Sequence, residues 1–129
     1  MSDTDFYQSC DISNFAEGCL FDGRYLVREK LGGGGFAETW RCLDINIDID
    51  VALKIFNQKV DVEMVRNEFR ASFKIHHERC ARVLDMKVGP NYGNGFMVLT
   101  KHIFSNEGFM MVMISVVIAM MCFVVCCCF

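Results

Sequence analysis

A lysine set in an apolar strand, with four glycines upstream of it, is the feature of this chain best suited to chemistry. The glycines lie in Leu31-Gly32-Gly33-Gly34-Gly35-Phe36-Ala37-Glu38-Thr39-Trp40, and the lysine in Val51-Ala52-Leu53-Lys54-Ile55-Phe56. Consecutive glycines allow backbone geometries closed to other residues and leave N–H groups unobstructed. Such a turn can wrap phosphate oxygens, and a hairpin turn with no ligand is the plain alternative. No Gly-Lys-Ser/Thr follows, so this is not a Walker-type loop. The run leads into a strand, not a helix, which argues against a dinucleotide fingerprint. Alternation puts Val51, Leu53 and Ile55 on one face and Ala52, Lys54 and Phe56 on the other. The small Ala52 leaves space for a flat ring, and Lys54 can reach the phosphates attached to it. A strand lysine by itself is more often solvated. The glycine turn at this spacing makes that the weaker reading.

These residues need a frame to hold them. Tyr25 to Leu31 reads as a strand into the glycine turn, Thr39 to Leu43 as its hairpin partner, and Val51 to Phe56 as a third strand. Asp61 can cap a helix through about Ile75, because its carboxylate accepts from free N–H groups of the first turn. Val62, Val65, Phe69 and Phe73 form one stripe on that helix. Glu68 borders the stripe, with Glu63 as a competing acid. Two further strands follow, Ala81 to Val88 and Phe96 to Lys101, separated by a breaker-rich turn from Gly89 to Gly95. The expected class is α+β: a five-stranded antiparallel sheet with one helix, plus a hydrophobic helix at the C-terminal end.

Composition narrows the function classes. The 129 residues have room for one small domain, and a net charge of -3 with no Lys/Arg-rich run argues against nucleic acid. Of eight cysteines, Cys10, Cys19, Cys42 and Cys80 are scattered, and Cys122, Cys126, Cys127 and Cys128 crowd the last residues. No paired CxxC motifs are present, so no metal site is expected. His76 and His77 are adjacent and cannot share a helical face. No secretory signal opens the chain, and the thiols read as reduced and the main domain as intracellular. Three parts emerge: an acidic, mobile leader over 1–23, in which Phe15 and Leu20 have the means to pack on the domain edge, a patterned lobe over 24–102, and a linker with an apolar tail over 103–129.

The glycine turn, the Val-Ala-Leu-Lys strand and the helix glutamate, in that order, resemble the small lobe of protein kinases. The resemblance covers about Arg24 to Lys101, and its style is similar to the bacterial Ser/Thr kinases. It implies ATP as ligand, cradled by Leu31, Gly32, Gly33, Gly34, Gly35, Phe36, Ala37 and Thr39, with Ala52 against the adenine. It implies that Lys54 and Glu68 form the phosphate-positioning pair. The segment His77-Glu78-Arg79-Cys80-Ala81-Arg82-Val83 resembles the stretch that follows the kinase helix, and counting back from it favours Glu68 over Glu63. Leu99 takes the gatekeeper position, and Thr100 and Lys101 supply hinge backbone. Two departures stand out. Ala37 replaces the usual third glycine, and Thr39 replaces a valine that covers the adenine. Both should weaken nucleotide packing.

The resemblance stops after Lys101. No His-Arg-Asp or Asp-Phe-Gly follows in order, so the catalytic base and the ligands for the family's Mg are not seen. This chain alone is therefore expected to be catalytically inactive and to bind ATP weakly if at all. Phe109 to Phe129 carries no charge, and as a helix it would extend roughly 31 Å, about the thickness of a bilayer core. That implies a single-pass membrane segment with the lobe in the cytoplasm. A truncated or frame-shifted gene is the alternative source of such a tail, and Cys126 to Cys128 could accept lipid. Two functions follow: an incomplete kinase domain with an ATP-binding lobe, or a non-enzymatic, membrane-tethered interaction module.

Overall fold

Strands dominate the described residues, where runs rich in β-branched and aromatic residues lie between Gly- and Asp-rich turns. The computed structural model describes residues 6–74, 81–89, 92–93 and 95–100. Seven strands form one sheet: β1 (Ser9–Cys10), β2 (Leu20–Phe21), β3 (Tyr25–Gly33), β4 (Ala37–Asp44), β5 (Ile49–Phe56), β6 (Val83–Lys87) and β7 (Phe96–Leu99). Their spatial order is β1-β2-β3-β4-β5-β7-β6. All neighbouring pairs run antiparallel except β1 with β2, which is parallel. One helix, α1 (Val62–Phe73), lies between β5 and β6 in the chain. This is a kinase-like small lobe, with a mixed sheet of seven strands in place of the expected antiparallel five.

The two additional strands come from the leader. Leu20 and Phe21 pair with Leu26 and Tyr25, and Ser9 and Cys10 pair with Leu20 and Phe21. Cys10 and Cys19 form a disulfide, so two thiols read as reduced are oxidised here. Between them Asp11 caps a short 3-10 helix, Ile12–Asn14, accepting from the N–H groups of Ser13 and Asn14. Phe15 packs edge-on against Phe21 and Trp40, at 5.1 and 5.3 Å between ring centroids. Leu20 is buried as well. The leader thus covers the face of the sheet that carries Val27, Cys42, Val51, Leu53 and Ile55. Burial within this apolar face pushes the Cys42 thiol up to about 12.

Polar ties hold the turn that leads into β3. Asp22 accepts from Lys87, and Tyr92 donates its hydroxyl to the other Asp22 oxygen at 3.0 Å. Gly95, just before β7, has φ +106°, and a Cβ there would stand 2.5 Å from Val88 Cγ1 and 2.7 Å from Lys87 O. Only glycine fits that corner. At the same end of β3, Arg24 grips the buried Asp44 carboxylate.

The helix starts as expected. Asp61 accepts from the Glu63 N–H at 3.1 Å, and Val65 is fully buried. Phe69 packs on the sheet. The whole stripe lies in the helix, which runs to Phe73, but Phe73 itself is 55% exposed and stacks on Phe69; Ile75 lies outside the described residues. Among the described residues no helix is long and apolar enough to cross a membrane. The expected C-terminal helix, Lys101, and His76 and His77 lie outside the described residues.

Candidate functional site

The register of β4, β5 and β7 fixes what surrounds Lys54. Thr39 lies opposite Lys54 on one side and Met97 on the other. Ala52, two residues away on the same face, lies between Arg41 and Leu99. Alternation therefore carries Lys54, Ala52 and Phe56 to the helix side of the sheet, while Val51, Leu53 and Ile55 turn to the leader side.

Lys54 donates its ammonium to Glu68 Oε1. The two side chains are 7% and 17% exposed, so the pair sits largely out of water. The ammonium also stands 5.0 Å from the centroid of the Phe56 ring. Burial pulls Lys54 below its ordinary 10.5, and the charge and hydrogen bond of Glu68 pull it back up. Glu63, the competing acid, is exposed and binds Arg66 and Arg70 at 3.3 Å each. Glu68 lies next to Phe69, which packs on the sheet, so this stretch of helix faces β5.

The glycine turn joins β3 to β4. Gly34 donates to Ala37 O at 3.0 Å, and Phe36 O accepts from Asn57 N at 2.8 Å. A Cβ built on Gly34 or Gly35 would meet nothing within 4 Å, so both glycines face open space. Gly32 pairs across the hairpin with Thr39 and Gly33 with Glu38. Phe36 is exposed at the turn. Below it, Lys30 and Glu38 form an ion pair at 2.8 Å, and Trp40 Nε1 donates to Glu38 at 3.3 Å. The Lys30 hydrogen bond holds the Glu38 carboxyl below its ordinary value.

An apolar cluster lies beside Lys54. It contains Ala52, Val83 and Leu99, with Leu31, Phe69 and Ala81 packed against them. Three expected site residues, the loop residue Leu31, Ala52 and the gatekeeper Leu99, are thus together. Others fall elsewhere. Ala37 packs with Phe56, Val60 and Val65, away from the Ala52 cluster. Thr100 donates its N–H to Arg82 O at 2.9 Å, and its hydroxyl accepts from Arg82 N at 3.0 Å. A hinge contact from Thr100 is therefore limited to its carbonyl. Sequence reasoning missed Met97, Val83 and the Lys30–Glu38 brace. Pairing partners across a sheet are set by register, which the local pattern does not encode.

No family model matches the chain. Individual proteins do. It is 30% identical over 79 residues to the serine/threonine-protein kinase PknL of Mycobacterium tuberculosis, a match covering 61% of this chain and 19% of that protein. It is 32% identical over 76 residues to the calcium/calmodulin-dependent protein kinase type II alpha chain of Drosophila melanogaster, covering 56% of this chain and 14% of that protein. The chain thus spans less than a fifth of each of these relatives. The chain is similar to a part of the Ser/Thr protein kinases, and it has the fold of a kinase-like small lobe.

Proposed function

We propose that this lobe binds the triphosphate of ATP, with Lys54 as the phosphate contact and Glu68 holding its ammonium in place. The observation that carries the reading is the buried Lys54–Glu68 ion pair, two residues along β5 from the Ala52–Leu99 cluster. The donor set suits the ligand. The uncrowded backbone at Gly34 and Gly35 and a fixed ammonium suit phosphate oxygens, and Leu31, Ala52 and Leu99 match a flat apolar ring. Bound ATP would supply a transferable phosphoryl group together with its Mg. This chain's own residues orient the phosphates and offer the adenine an apolar surface. Phosphoryl transfer also needs a catalytic aspartate and metal ligands. No His-Arg-Asp or Asp-Phe-Gly follows Lys101 in the sequence, so we expect the chain by itself not to transfer phosphate.

Calorimetry tests the reading. ATP should bind weakly, since these residues form one wall of a cleft. Lys54→Ala should weaken that binding by about tenfold or more, because a desolvated charge-assisted contact is lost. Equal affinity of the two proteins would remove Lys54 from the site.

A second reading is a non-enzymatic module held at a membrane, and the charge-free run Phe109 to Phe129 favours it. Each apolar side chain moved from water into lipid contributes roughly 1.5–3 kcal/mol, and no charge opposes it. The full chain should sediment with membranes and resist carbonate extraction, while a chain ending at Glu107 should remain in the supernatant. Arg82 and Lys101 flank the run on its N-terminal side, which favours a cytosolic lobe. A full chain found as a soluble monomer would sink the membrane reading and leave the nucleotide reading intact.

A further inference from the structure

The Cys10–Cys19 disulfide ties down an arm that little else holds. Residues 6–17 cross the sheet face opposite Lys54. Among the described residues, the arm is otherwise held by backbone bonds from Leu20 N to Gln8 O at 2.8 Å and from Cys19 N to Ala16 O at 3.3 Å, by Ala16 N donating to Cys19 Sγ at 3.5 Å, by the short β1–β2 pairing, and by the packing of Ile12 and Phe15. The segment just beyond it is anchored independently. Gly18 N donates to Val27 O at 2.8 Å, Val27 N donates to Cys19 O at 2.9 Å, and Asp22 is held by Lys87 and Tyr92. The disulfide joins the loosely held strand β1 to the residue at the start of the anchored segment. Under the arm lie Phe21 and Trp40, and Cys42 belongs to the same core cluster as both bonded cysteines.

We propose that Cys10–Cys19 is a redox latch. Oxidised, it closes the arm over the outer sheet face; reduced, it lets the arm lift while β2 stays paired with β3. The reductant is a dithiol. One of its thiolates attacks a cysteine sulfur, breaks the S–S bond and forms a mixed disulfide, expelling the other cysteine as a thiolate. Its second thiolate then displaces the remaining cysteine. Two electrons pass to Cys10 and Cys19, which take up protons as thiols, and the reductant leaves as a disulfide. Reversibility in the cell rests on the cytosolic placement proposed above, because disulfides there are transient or redox-sensing. The mechanics of the latch do not depend on it.

Hydrogen exchange by mass spectrometry on the full chain in detergent micelles, with and without dithiothreitol, tests the latch. Reduction should speed exchange in residues 8–17 at least tenfold and shift Trp40 emission to the red as Phe15 leaves it. Exchange in β4 and β5 should not change. Cys10→Ser/Cys19→Ser should reproduce the reduced pattern without reductant, and reoxidation of the wild-type chain should reverse it. Unchanged exchange in residues 8–17, with both thiols shown free by mass, overturns the proposal. So does equal acceleration through β3, β4 and β5, which would make the bond a staple for the whole lobe. Alkylation trapping in cells separates the two ideas: a wholly oxidised population would overturn the cytosolic placement and the reversibility, whatever the exchange result.

Discussion

Glu68→Ala should destabilise the lobe by about 3 kcal/mol, whereas Lys54→Met combined with Glu68→Leu should cost far less or nothing. The asymmetry follows from burial. Lys54 is 7% exposed and its ammonium gives its hydrogen bond to Glu68. Removing the carboxylate leaves a cation in an apolar setting beside Phe56, Phe69 and Met97. Replacing both partners removes the desolvation cost along with the attraction, and the space fills with apolar atoms. Glu68 is 17% exposed, so water can relieve part of the loss, which puts the figure at the low end of the range for buried pairs. Urea titration of each full-length variant, followed by the single tryptophan Trp40, measures the difference. If the double variant is as unstable as Glu68→Ala, the pair adds net stability and the argument fails.

The same pair sets a pH signature. Burial lowers Lys54 from 10.5, so in the alkaline range the folded chain binds fewer protons than the unfolded chain at this group. Its contribution to stability therefore rises with pH between the depressed value and 10.5. Glu68 opposes the depression, and its removal deepens it. The deficit of Glu68→Ala relative to wild type should shrink as pH is raised toward 10.5. A deficit that stays constant would mean that Lys54 finds another partner in the variant.

Much of this was legible in the chain, for reasons that differ by residue. β5 was readable because Val51 to Phe56 is an apolar, partly β-branched run interrupted only by Lys54, and the two-residue period of a strand put Ala52, Lys54 and Phe56 on one face. The start of α1 was readable because Asp61 is a chemically specific cap. The leader was not. Ser9–Cys10 and Leu20–Phe21 are two residues each, too short to show a period, and their order comes from tertiary pairing. Cysteine positions likewise carry no pairing. Cys10 meets Cys19 because a parallel β1–β2 pair places Cys10 beside Phe21, two positions after Cys19 in the chain. Phe73 fits the helical stripe, yet it lies past the last turn that reaches the sheet, and it is left exposed. The hinge is a case of competition: Thr100 N–H is committed to Arg82 O, a partner 18 positions away that no local rule names.

Arg24→Ala should destabilise the lobe by about 2–3 kcal/mol, a large effect for a residue near the surface. Its partner is the reason. The Asp44 side chain is only 2% exposed, and Arg24 reaches it with Nε at 3.0 and 2.9 Å and with Nη2 at 2.7 Å. The remaining hydrogen bond to this carboxylate comes from Asn46 N–H at 3.1 Å. Loss of the guanidinium leaves a buried anion with one neutral donor. The carboxylate also organises the end of the β3–β4 hairpin, where Tyr25 pairs with Asp44 and Ile45 N donates to Arg24 O at 3.0 Å. Arg24 itself is 39% exposed, so the converse truncation is milder: an arginine freed by Asp44→Asn can turn to water. Asp44→Asn should therefore cost about 1–2 kcal/mol, the loss of charge assistance to hydrogen bonds that can still form in part. In that background Arg24→Ala should cost under about 1 kcal/mol, because no buried charge is left to strand. A double-mutant cycle read by urea midpoints gives the coupling. Additive effects of the two substitutions would show that Arg24 acts through its stacking on Tyr25, 5.3 Å from the ring centroid, and not through the carboxylate.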